Sequence, residues 1–237
     1  MEISLNNKIL SRLTGAPVKA LEKKGVEYYK KNQSTSTNQD VYLEGVIVGN
    51  EDGWLAGFEG FVSPANMREK FEATSGDINL FIDSPGGSVW GASNMLTQVI
   101  KMRKEGRKIN VIVTGLCASA ATYFLFEADS AAITPLGDIM VHRSWSCQCG
   151  NAEDFEKAAG LLKKTDAQYV EQLTSLTGRK QSEVDAAVKD ETWFTGKEAV
   201  EWGLVGDLYT SESKDEDEDV MNNDFRLLIG QLSDFNY

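Results

Sequence analysis

Hydrophobic positions along the middle of this chain fall into short strand-like runs separated by longer stretches with helical spacing. Val41–Val48, the apolar run Asp77–Asp83 and Ile109–Val113 read as strands, and the second runs straight into Ser84-Pro85-Gly86-Gly87. Between them, Ser63–Thr74 with Pro64 near its start reads as a short helix, and Val89–Glu105 as a longer one closed by Gly106. A helix follows Ser119 to about Glu127, then short strands at Ala131–Thr134 and Ile139–His142. The longest helical pattern is Asn151–Leu176, where Phe155, Ala158, Ala159, Leu162, Tyr169 and Leu173 recur near helical spacing and Gly178 lies past the end. Gln181–Lys189 predicts a further helix. Trp193-Phe194-Thr195 leads into a last one, Lys197–Trp202, with Thr195 as N-cap, Glu198 three residues on and Gly203 as the stop. Strands alternating with helices imply an α/β fold, a mainly parallel sheet covered by helices.

Length and composition set the frame for that pattern. The 237 residues are 41% hydrophobic and 25% charged, enough for one large domain with appendages. Residues 1–40 read as an N-terminal extension and linker, ending in a polar stretch from Lys30 to Asp40; residues 41–209 form the domain; residues 210–237 form an acidic linker and tail. The net charge of -12 argues against nonspecific nucleic-acid binding, which needs clustered Lys and Arg. Part of the excess is local, at Glu212 and Asp215–Asp219, and reads as a solvated linker. The final segment carries an apolar patch, Phe225, Leu227, Leu228, Ile229 and Leu232, which reads equally as a docking element or as a loose terminus. No apolar run is long enough to span a bilayer and no signal pattern opens the chain, so the reading is a soluble cytoplasmic protein without a membrane partner. Cys117, Cys147 and Cys149 lack a metal-ligand spacing; they read as reduced thiols, with no metal and no cofactor.

Candidate chemistry centres on the only histidine, His142. Ser119 sits in a small-residue segment, Gly115-Leu-Cys-Ala-Ser119-Ala-Ala-Thr, directly after an apolar strand. A serine hydroxyl is a weak nucleophile at neutral pH and needs a base, most often histidine, to take its proton. Gly86 and Gly87, between a strand and a helix, leave backbone N–H groups bare for an oxyanion or an extended ligand segment. Each feature also has a plainer reading. His142 follows three apolar residues as a partly buried side chain would, the small residues suit close helix–sheet packing, and Pro-Gly-Gly suits a turn.

Four segments taken together resemble a known family in order and approximate spacing. Asp83-Ser-Pro-Gly-Gly-Ser-Val89, Gly115-Leu-Cys-Ala-Ser119-Ala-Ala, Met140-Val-His142-Arg and Glu198-Ala-Val-Glu-Trp-Gly-Leu204 are similar to the ClpP-type serine peptidases of the ClpP/crotonase superfamily. The style of Glu191-Thr-Trp-Phe-Thr195 resembles the branch found in phage and prophage head-assembly modules. This resemblance implies a spiral of β-β-α units. It also implies Ser119 as nucleophile, His142 as general base, and the N–H groups of Gly87 and Ala120 as oxyanion donors. The family's aspartate falls on Glu191, with Asp190 beside it as the alternative acid. An extended polypeptide substrate would run beside Gly86, Ser88, Val89 and Arg143. The Asn151–Leu176 helix corresponds to the family's ring-to-ring element, which implies a homo-oligomeric ring, heptameric or stacked. The implied function is a serine endopeptidase that needs no cofactor, acting on capsid or scaffold precursors during prohead maturation, or in general proteolysis with an unfoldase partner. Two other readings stay open: a non-catalytic assembly or scaffold protein on the same fold, and a crotonase-type acyl-CoA enzyme.

Overall fold

Two strands, β4 (Ile78–Ser84) and β5 (Ile109–Ala118), organise the domain, because Ile78, Leu80, Ile82, Ile109 and Val113 are all fully buried and must be covered by helices. The computed structural model describes residues 39–50, 52, 55 and 58–211. Residues 1–38 of the N-terminal extension and linker, the acidic run Asp215–Asp219 and the apolar patch Phe225 to Leu232 lie outside the described residues. The main sheet has seven strands, five of them in the order β1-β4-β5-β6-β9 and all parallel, where β1 is Gln39–Glu44, β6 is Ser130–Ile133 and β9 is Asp207–Leu208.

β5 is longer than its apolar run predicts, and its length lets it serve two neighbours in turn. Asn110–Val113 pair with β6, whereas Leu116–Ala118 pair with β7 (Asp138–Val141). Opposite β4 the register slips between Ile82 and Ser84, so that Ser84 faces Cys117. Such an irregularity bends a strand and re-aims its end. β7 pairs on its other side with β8 (Thr192–Thr195) in antiparallel sense, from Asp138 opposite Thr195 to Val141 opposite Thr192. The sequence pattern treats those four residues only as a helix lead-in. Alternation over so short a segment is no signal until the partner strand is known.

The strand expected over Val41–Val48 is broken at Gly45. β1 ends at Glu44, and β2 (Val46–Ile47) turns aside to pair with β3 (Phe61–Val62) in a separate two-stranded sheet. Beyond β2's pairing with β3, Ile47 also forms an isolated parallel bridge with Gly87.

Helices cover the sheet where the spacing places them. α1 (Pro64–Glu72) starts with Pro at its first position and a reciprocal cap between Ser63 and Asn66, and buries Met67 and Phe71. α2 (Val89–Lys104) is capped by Ser88, whose Oγ accepts from Gly91 N–H, and buries Ala92, Met95, Val99 and Met102. α3 (Ala152–Thr177) begins with a second reciprocal cap, Asn151 with Asp154, and stops at Gly178 in the left-handed conformation. α4 (Gln181–Lys189) buries Val184 and Val188, and α5 (Gly196–Trp202) ends at left-handed Gly203. The expected Thr195 cap is present: the Glu198 carboxylate accepts from both Thr195 N–H (2.9 Å) and Thr195 Oγ (2.7 Å). Those bonds from the Thr195 hydroxyl and N–H hold the Glu198 carboxyl below the usual carboxylate range. Among the described residues, no helix is long and apolar enough to cross a membrane.

Candidate active site

The parallel strands β4 and β5 end side by side, and the polypeptide leaves both of them in tight turns that meet. Ser119 follows Ala118, the last residue of β5, with φ 55°, and opens a 3₁₀ helix, Ser119–Glu127. A positive φ is costly for a residue with a Cβ, and it swings the serine side chain out of the strand direction. The first N–H groups of a helix have no intrahelical acceptor, so Ala120 N–H is bare just after the serine. Its position at a helix start favours negative charge there.

The turn after β4 fits against this one at backbone distance. Gly86 (φ 87°) lies so close that a Cβ on it would stand 2.5 Å from Ala118 O, 2.8 Å from Ser119 Cβ and 2.9 Å from Ala120 N. Gly87 (φ 138°) is pressed against Ile47, whose backbone oxygen would collide with any side chain there. Ile47 N–H donates to Gly86 O and Ser88 N–H donates to Ile47 O, both at 2.8 Å. In a parallel bridge of this kind the N–H and C=O of Gly87 itself face the other way. The Gly87 N–H therefore lies on an open backbone edge beside Ser119.

His142 follows the last residue of β7 and completes the pair that the sequence suggests. Its Nε2 stands 2.7 Å from Ser119 Oγ, a hydrogen bond in which the imidazole can take the hydroxyl proton as the oxygen attacks an electrophile. The backbone of the serine turn is fixed from behind. Tyr169 of α3 and Thr122 share a buried hydrogen bond of 2.7 Å, and Thr122 Oγ1 donates in turn to Ser119 O at 2.6 Å. Burial pushes the Tyr169 hydroxyl well above its ordinary pKa, so it stays protonated and can donate in that chain.

The acids are placed less completely. Glu191 and Asp190 are both exposed, and among the described residues neither makes a hydrogen bond to His142. The strand register separates them, however. β7 and β8 pair Val141 with Thr192, so His142 and Glu191 are the residues that directly flank the end of that antiparallel ladder on its two strands. Glu191 also has a positive φ of 51°, which Asp190, the residue capping α4, does not.

A cavity of about 590 Å³ opens beside Gly87, walled by Ser88, Val89, Trp90, Trp145, Leu161 and Leu162. Trp90 and Trp145 are 69% and 74% exposed, an unusual state for large aromatic surface in an isolated chain. Gly86 is taken up by packing against the serine turn rather than by this cavity. Arg143 turns away from it, its guanidinium 3.6 Å from Asp166 on α3 and 3.2 Å from Asp185 on α4.

Asp166 is the functional candidate that sequence reading misses. Its signal is an acid on the buried stripe of α3, between Leu162 and Tyr169, where helical spacing calls for an apolar residue. Of the cysteines, Cys117 is buried in β5 and burial pushes its thiol far above the ordinary pKa, which makes it inert; Cys147 and Cys149 are free and exposed. Among the described residues no cluster of His, Cys, Asp and Glu could hold a metal ion.

Comparison with known proteins places this chain beside Clp proteases. The family model for Clp protease matches residues 69–212, which includes β4, β5, the serine turn, His142 and the β8 segment. The ATP-dependent Clp protease proteolytic subunit of Porphyromonas gingivalis (strain ATCC BAA-308 / W83) is 26% identical over 140 residues. That match takes in 58% of this chain and 62% of the relative, so the chain spans less than two thirds of the length of the curated relative it matches.

The contact between the two turns can be tested against a matched control. Gly86 and Gly106 share the same φ of 87°, but a Cβ on Gly106 meets nothing within 4 Å. Gly106→Ala should cost only the backbone strain of a left-handed residue, about 1–2 kcal/mol. Gly86→Ala should cost clearly more, by about another 1–3 kcal/mol of overpacking, in urea unfolding followed by circular dichroism. Equal losses for the two variants would mean that the turns do not meet as described.

Proposed function

The chain belongs to the Clp protease family, and from that premise we propose that it is a serine endopeptidase working through an acyl-enzyme. The observation that carries this reading is the 2.7 Å contact between Ser119 Oγ and His142 Nε2 beside the bare edge of Gly87. Ser119 Oγ attacks the carbonyl carbon of the scissile bond while His142 Nε2 accepts the hydroxyl proton. The carbonyl oxygen becomes an oxyanion received by the N–H groups of Gly87 and Ala120. Collapse breaks the C–N bond, and the leaving amine takes the proton from His142. Water then attacks the acyl ester, gives a proton to His142 and releases the carboxylate, and Ser119 recovers its proton. No cofactor enters any of these steps.

Glu191 is the acid assigned to hold His142; in support, it directly precedes the β8 residue paired with Val141, whereas Asp190 lies one position further away. Glutamate has one methylene more than the family's aspartate, and among the described residues its carboxylate makes no hydrogen bond to His142. The substrate is an extended polypeptide whose main chain adds to the open edge at Gly87, beside Ser88 and Val89. Backbone pairing of this kind tolerates many sequences. The exposed tryptophans 90 and 145, with Phe155 and Leu161 on α3, support assembly into a homo-oligomeric ring. In line with the style of the Glu191–Thr195 segment, the biological setting proposed is trimming of phage or prophage head precursors. The relative's printed role, as the proteolytic subunit of an ATP-dependent protease, supports an unfoldase-coupled setting as the other reading.

Hydrolysis of a fluorogenic peptide library tests the assignments. Ser119→Ala and His142→Ala should each lower kcat/KM by about 10⁴-fold or more. Glu191→Gln should cost about 10²–10⁴-fold and Asp190→Asn little. The opposite order would move the acid to Asp190, and full rates in both would remove an acid from the mechanism. Sedimentation of the same wild-type sample should give a multi-subunit ring, and a fully active monomer would contradict the assembly.

A further inference from the structure

Beyond the reacting groups, the segment that carries His142 is held by one buried carboxylate. His142 is followed at once by chain without regular structure, so nothing in the sheet fixes the direction in which it leaves β7. Asp166, only 8% exposed, supplies that constraint from α3. Its Oδ1 accepts from Ser144 N–H at 2.8 Å and from Ser144 Oγ at 2.6 Å, and its Oδ2 lies 3.6 Å from Arg143 Nη1. The two residues directly after His142 are thus both bound to the same side chain. The Leu162 carbonyl, 3.3 Å from Ser144 Oγ, is a weaker alternative acceptor for the same hydroxyl proton.

We propose that Asp166 is a positioning residue for the general base: by anchoring Arg143 and Ser144 to α3 it keeps the imidazole of His142 within hydrogen-bond reach of Ser119. This inference rests on the peptidase reading above. A buried carboxylate is retained at a cost, since an apolar side chain on that helix stripe would pack without desolvating a charge. Its bonds go to the backbone and side chains next to His142 rather than to the body of the core, which is where an anchor for the base has to act. The same helix holds the other reactant, since Tyr169, three residues further on, acts through Thr122 on the Ser119 carbonyl. α3 therefore sets both halves of the Ser119–His142 pair. A shift of about 1 Å in such a pair can cost about a hundredfold in rate.

Two near-isosteric variants separate positioning from packing. Asp166→Leu keeps the volume and removes every acceptor, whereas Asp166→Asn keeps an amide oxygen that can still accept from Ser144 N–H. The readout is the second-order rate at which a fluorophosphonate labels Ser119 in the full chain, a small probe that has little use for the neighbouring cavity. Asp166→Leu should label about tenfold or more slowly than wild type, and Asp166→Asn should return to within about threefold of it. Both variants should keep the wild-type far-ultraviolet circular dichroism. Labelling of Asp166→Leu at the wild-type rate would overturn the proposal, and so would an Asn variant as slow as the Leu variant. A Leu variant that loses its native spectrum would also overturn it, because an anchor for one segment leaves the core intact. Failure of the wild-type chain to label at all would instead strike the peptidase reading itself.

Discussion

The close approach of two backbone turns, Gly86-Gly87 after β4 and Ala118-Ser119-Ala120 after β5, is the constraint on which the rest of the site depends. Ser119 sits at a positive φ that an unsupported residue with a Cβ would avoid. It is held there because the strand before it is locked into a parallel sheet on both sides and the helix after it is tied through Thr122 to Tyr169. Gly86 fills the space against the turn with no atom to spare, and Gly87 can press on Ile47 only because it has no side chain. In the proposed mechanism the N–H groups of Gly87 and Ala120, one from each turn, are the donors offered to an oxyanion. Backbone donors fixed in this way need no reorganisation when charge develops beside them, which is the condition under which they stabilise an oxyanion best.

The sheet topology explains how a histidine 23 residues further along reaches this turn. β5 is long enough to pair first with β6 and then with β7, so β7 runs beside the very end of the strand that delivers Ser119. His142 is the first residue beyond β7, as Ser119 is the first beyond β5, and the two leave parallel neighbouring strands within one register step of each other. β8, antiparallel to β7, brings the acidic Asp190-Glu191 pair to that level from the opposite direction. Three segments distant in sequence thus converge because three strand ends do.

Much of this was legible in the residues, and what was not has a physical reason. The apolar runs of β4 and β5, the helix cap at Thr195, and the stops at Gly178 and Gly203 are local signals, and each stands where its pattern predicts. The extension of β5 through Thr114-Gly115-Leu116 was hidden, since that stretch has neither alternation nor apolar continuity, and the β7 partner that pairs from Leu116 to Ala118 lies far along the chain. β8 was hidden for the same reason. Asp166 went unread because a single acid in an apolar stripe looks like a break in the pattern until its partners, Arg143 and Ser144, are seen to come from another part of the chain. The choice between Glu191 and Asp190, adjacent in sequence, needs the β7–β8 register, which no local pattern contains.

The central claim is that Ser119 is a nucleophile whose hydroxyl proton passes to His142. Peptide mapping by tandem mass spectrometry after treatment of the native chain with a fluorophosphonate tests it at the level of the atom. The account predicts one phosphonyl adduct, on Ser119, present in the wild type, absent after heat unfolding and lost in His142→Ala. A folded wild-type chain without an adduct at Ser119, or one whose adduct persists undiminished in His142→Ala, would contradict it.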